Sequence, residues 1–137
     1  MDKKQKKVVV VPCSGIGKSF GSVARETAHE LVENVRPNVT VLTCLPLLVI
    51  NDSDARQLIT ENPVITIDGC PKDCAKKSVE SVGKKDFHTC RAATFYSTHK
   101  DLKPQGVTRL NDAGLKLARI AAEELAAKVD ELVKEES

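Results

Sequence analysis

The sequence predicts an α/β fold, a three-layer Rossmann-like sandwich built on a mostly parallel sheet of about four strands. Three observations lead there. Short runs rich in β-branched residues alternate with stretches of helical period. The first run, Val8 to Val11, is continuously apolar, as suits a strand covered on both faces. Cysteines follow three of these runs, at the ends where a parallel sheet collects its ligand sites.

Val8 to Val11 form the first predicted strand. The helix after it is marked by Phe20, Val23, Ala24, Ala28, Leu31, Val32 and Val35, spaced by threes and fours on one stripe. Pro37 ends it, and Val39 to Leu42 make the second strand. Leu45 to Ile50 is apolar, but Pro46 argues against a central strand; core packing as a buried loop or short helix is the expectation. Asn51 to Asp54 offer caps for a helix reaching Thr60. Val64 to Ile67 are the third strand. Pro71 suits the first position of a helix running to Val82, with Gly83 beyond it. Thr89 to Tyr96 read as a fourth strand. The last helix is capped by Asn111 or Asp112 and buries Leu117, Ala121, Leu125, Val129 and Leu132. Glu124 with Lys128, and Asp130 with Lys134, are expected to pair on its outer face.

Length and composition bound the function. Residues 1–137 are expected to form a single domain. With 41% apolar and 29% charged residues the chain belongs with folded globular proteins rather than disordered ones. No apolar run approaches the roughly 20 residues needed to span a bilayer. The apolar stretch after Lys7 is too short for a signal peptide, so a cytoplasmic protein is expected. The net charge of +2 and aromatic content of 3% offer no platform for nucleic acid, and no such partner is expected.

In a reducing compartment, clustered cysteines favour metal or redox chemistry over disulfides. Cys13, Cys44 and Cys70 each follow a predicted strand, and Cys74 comes shortly after Cys70. If Cys70 caps the helix opened by Pro71, Cys74 lies one turn in on the same face, and both sulfurs can meet one ion. The positive end of the helix favours thiolates there. Gly69 is expected to free the chain for a sharp turn, and Asp68 to cap that turn or support the site. Four thiolates suit closed tetrahedral Zn²⁺, three leave an open position, and an iron–sulfur cluster uses four as well. The spacing does not separate these.

The segment from Ile67 to Lys77, centred on Asp68-Gly69-Cys70, resembles the signature of the DGC-domain family. Cys13-Ser14-Gly15 and Cys44-Leu45 resemble that family's other two motifs, so the likeness covers roughly residues 8 to 83. It implies a zinc-binding domain with Cys13, Cys44, Cys70 and Cys74 as ligands. The stretch around Cys90 and His99 does not follow the family's usual ending. His88 and Cys90 would share a strand face, and either could substitute for a ligand; His99 is a weaker substitute.

Gly17-Lys18-Ser19 ends like a phosphate loop, but Pro12 occupies the place of its first glycine. The Ser14–Ser19 loop is expected to suit a small anion rather than a nucleotide. Two functions compete. One is a zinc-binding accessory, carrier or sensor module related to metal or sulfur handling. The other is a thiol enzyme of sulfur transfer or redox using Cys13 or Cys70.

Overall fold

The computed structural model describes residues 7–13, 19–43, 45–69, 72–106 and 109–136. β1 (Val8–Pro12) is followed by α1 (Ser19–Glu30), which closes in a wide π-type turn over Leu31–Val35. β2 (Thr40–Leu42), α2 (Leu45–Val49), α3 (Ser53–Glu61) and β3 (Val64–Asp68) come next. α4 (Cys74–Ser81), β4 (His88–Arg91), α5 (Ala92–Thr98) and α6 (Asp112–Glu136) complete the chain. The four strands lie in the order β2-β1-β3-β4, and every pairing is parallel.

The strands run where the β-branched residues are, and their alternation splits the core. Val8, Val10, Ile65 and Ile67 face α1, α5 and α6; Leu117, Ala121, Leu125 and Val129 of α6 fill that side. Val9, Val11 and Val64 face the other way, against Leu48, Ala55, Ile59, Ala75 and Val79 of α2, α3 and α4. This is the expected three-layer sandwich. Side chains of β1 and β3 are buried on both faces, so a polar alternation would have left unpaired groups in one core or the other.

Helix caps follow the sequence in two places. Asp52 accepts the Ala55 amide at 2.9 Å at the start of α3, and Asn111 accepts the Gly114 amide at 2.9 Å at the start of α6. The surface pairs of α6 differ from expectation. Glu124 meets His99 at 3.2 Å, Lys128 meets Glu131 at 3.4 Å, and Asp130 takes both arms of Arg36 at 2.8 and 2.9 Å. Residues brought in from α5 and from the turn after α1 compete with partners on the helix itself.

Two segments depart from prediction. The fourth strand ends at Arg91, and Ala92 to Thr98 are helical. Ala92 and Phe95 bury one helical face, and the Tyr96 ring packs tilted against Phe20 with centroids 5.7 Å apart. That spacing of three and four prevailed over the β-propensity of Thr94, Phe95 and Tyr96.

The apolar stretch after position 44 is the other. It forms the short helix α2, but only Leu48 is buried, while Leu47, Val49 and Ile50 are 38%, 68% and 70% exposed. Asn51 is left-handed with φ 59°, and its amide bonds Leu48 O while that of Asp52 bonds Leu47 O. These bonds close the end of α2 as a left-handed helix stop.

Candidate functional site at the carboxyl edge

The ladder between β1 and β3 continues one residue past its last pair, through a 2.8 Å bond from the Cys13 amide to Ile67 O. Cys13 therefore sits beside the end of β3. It follows Val9 and Val11 in the two-residue alternation, toward the α4 side, and is only 5% exposed. Its sulfur makes no hydrogen bond among the described residues.

Asp68, the last residue of β3, is buried on that same side. Its Oδ1 accepts the Ala75 amide at 2.8 Å and its Oδ2 the Lys76 amide at 3.1 Å. Asp68 is thus a cap for α4 supplied from the sheet. Burial pushes its carboxyl above the ordinary range, while the two amides pull it back.

This cap moves the helix start. α4 begins at Cys74, and the described residues before it, Lys72 and Asp73, are not helical, with Asp73 left-handed at φ 53° and ψ 50°; Pro71 lies outside the described residues. An Ala75 amide committed to Asp68 is not available to close a helical turn onto residue 71. Cys70, expected to share a helix face with Cys74, lies outside the described residues. Cys74 is the first residue of the helix, with an exposed side chain. Gly83 does take the place past the helix end, at φ 100°.

The role expected of Gly69 also changes. Its φ is not left-handed. A Cβ on Gly69 would lie 2.4 Å from Gly21 Cα, 2.5 Å from Gly21 N and 2.7 Å from the Phe20 carbonyl carbon. Glycine is needed because the end of β3 presses on the backbone of α1.

β4 places His88 and Cys90 on one face, as expected, but that face is the α6 side. The Cys90 thiol donates to Thr66 O at 3.2 Å. Burial, and then the Asp68 carboxylate, push its pKa up to about 12. Burial also lowers the pKa of His88. His99 is engaged with Glu124 on the surface. His88 and Cys90 thus lie on the sheet face opposite to that of Cys13 in the strand alternation. Cys90 is accordingly expected to resist iodoacetamide at pH 8 in the native protein and to react readily in urea, as read by peptide mass spectrometry. Equal rates in the two states would contradict a protonated thiol held on Thr66 O.

A contact absent from the sequence reading completes the edge. Arg91 at the end of β4 binds Asp73 through Nε to Oδ1 at 2.8 Å and Nη2 to Oδ2 at 2.5 Å. Arg91 is paired in register with Asp68. A cleft of about 220 Å³ opens here, lined by Asp68, Asp73, Lys76, Thr89, Cys90, Arg91 and Thr94. Nothing in local sequence joins Asp73 to Arg91, since only the parallel pairing of β3 and β4 brings them together.

Cys44, Cys70 and residues 14–18 of the predicted anion loop lie outside the described residues. The described flanks of the two cysteines are in place. The Thr43 amide bonds Val10 O at 3.1 Å, and Gly69 follows Asp68. Among the described residues, no three His, Cys, Asp or Glu side chains are grouped to hold a metal. No helix among them is long and apolar enough to cross a membrane.

A parallel α/β sandwich with thiols and a sheet-capped helix start at its carboxyl edge defines a small cysteine-bearing domain of the open-sheet class. The chain matches the DGC domain over residues 9–113 and belongs to that family. The match takes in β4 and α5, so the family pattern extends past the departure expected around Cys90. No curated protein and no solved structure matches the chain.

Proposed function

We propose that this DGC domain binds one zinc ion through the thiolates of Cys13, Cys44, Cys70 and Cys74. It would serve in a reducing compartment as an accessory, carrier or sensor module for metal or sulfur handling. The observation that carries this reading is the position of Asp68. It ends the strand that pairs with the Cys13 segment, and it holds the amides that follow Cys74. One buried carboxylate thus ties two of the four thiols to a single corner of the fold. Membership of the DGC family supports a metal-binding domain in general terms.

The donor chemistry fits. Cysteine sulfur is a soft ligand suited to Zn²⁺, and the buried Cys13 thiol, with no hydrogen bond among the described residues, can offer its lone pairs. Bound zinc would crosslink three strand ends and α4 or, with one position open, act as a Lewis acid. A thiol enzyme using Cys13 is less well supported, because a buried sulfur has little access to a substrate.

Protein purified without added metal is expected to contain about one zinc per chain by elemental analysis. Cys13→Ser, Cys44→Ser, Cys70→Ser and Cys74→Ser should each lose most of it, and Cys90→Ser should keep it. Full zinc content in Cys74→Ser would sink the four-thiol site. Broad visible absorption under anaerobic conditions would reassign the metal to iron–sulfur.

A further inference from the structure

We infer that Arg91 is a positioning residue for the zinc site, holding Asp73 in the left-handed turn that sets Cys74 at the head of α4. The inference rests on the zinc reading above. Asp73 occupies the cap position of α4, yet its carboxylate makes no capping bond. An aspartate there ordinarily accepts an amide from the first helical turn. In this chain Asp68 reaches in from β3 and takes the amides of Ala75 and Lys76. The Asp73 carboxylate is left to a different partner, the fork of Arg91 on β4.

The arrangement is over-determined for a surface ion pair. Asp73 carries one of the two left-handed backbones seen outside glycine among the described residues, a conformation that side chains disfavour. It persists where surroundings hold it. The planar guanidinium bonds both oxygens at once, which fixes orientation as well as distance. Arg91 is half exposed, but Asp73 is only 15% exposed, so the carboxylate is held inward. Cys74 is the next residue, so the direction of the Asp73 backbone decides where its sulfur starts.

Geometry rather than charge is the working element, because Arg91 and Asp73 neutralise each other. Ligands held in place before binding lose less freedom when the ion arrives, which raises affinity. Outer partners of metal ligands typically contribute 10- to 100-fold.

The test is zinc affinity of the full chain, measured by competition with a chromophoric chelator, beside urea unfolding of the chelator-stripped protein. Arg91→Lys keeps the charge and loses the fork; it is expected to raise the zinc dissociation constant about tenfold. Arg91→Gln and Asp73→Asn should do the same. Asp73→Gly with Arg91→Gln should be no worse than either single change, since both remove one device. The charge-reversed pair, Asp73→Arg with Arg91→Asp, should not restore affinity, because a carboxylate cannot reproduce the fork from β4. Unfolding midpoints of the stripped protein should shift little, as befits a half-exposed pair.

Wild-type affinity in Arg91→Lys and Arg91→Gln, with zinc lost in Cys74→Ser, would overturn the inference and leave the zinc site standing. A zinc loss that merely follows the unfolded fraction would overturn it too. Absence of zinc from the wild-type protein would remove the zinc reading and this inference together.

Discussion

Gly69→Ala is expected to destabilise the protein by about 3 kcal/mol, because the added methyl meets backbone rather than a flexible side chain. A Cβ there would fall within 2.7 Å of three backbone atoms of Phe20 and Gly21. Flexible side-chain ends can step aside, but these atoms belong to the first turn of α1 and cannot move alone. Either α1 lifts from the sheet or the end of β3 bends, and both disturb a close-packed core. Unfolding in urea with zinc chelated should show the loss, and thermal melting should fall by about 10 °C. Gly83→Ala is the control. It also introduces a methyl, but nothing lies within 4 Å of it, and only its φ of 100° resists. It should cost about 1 kcal/mol. Similar losses at the two sites would show that backbone contact at Gly69 is not the constraint.

Asp68→Ala is the second large effect, expected at about 3 kcal/mol in the stripped protein. The change leaves the amides of Ala75 and Lys76 without their acceptor, and the Ala75 side chain is fully buried. It also leaves α4 uncapped, because Asp73 is engaged with Arg91. Asp68→Asn retains one acceptor and presents an NH₂ group to the other amide, so it should lose roughly half as much. Amide hydrogen exchange gives the local readout. Protection should fall in Cys74–Ser81 while α6 keeps its own. Unchanged protection in α4 would mean that the cap is not what holds the helix.

The sandwich was legible because its signals are local. Val8 to Val11 are apolar without interruption and Val64 to Ile67 are all β-branched, as suits strands buried on both faces. The stripe of α6 and the cap at Asp52 are readable within a few residues. The misread parts depend on distant partners. α5 is helical because Tyr96 and Phe95 find Phe20 and the α6 core. α4 starts late because its acceptor sits on β3, seven residues before Ala75. The apolar letters of α2 looked like core, but a five-residue helix offers one face to the interior, and Leu48 takes it. At the candidate site the strand-end placement of Cys13 was readable. The Asp73–Arg91 pair was not, because sequence does not reveal which strands become neighbours.

The Asp-Gly-Cys signature is thus made of letters with different employers. Asp68 is engaged by the amides of α4, and Gly69 by the backbone of α1. Both are demanded by architecture before any ion arrives. A search keyed to this tripeptide reports a way of joining β3 to its neighbours as much as a chemistry. Relatives could retain the first two letters under selection for folding alone, after their thiols had been replaced. Among such relatives, the residues that sort metal binders from former binders are the cysteines taken as a set.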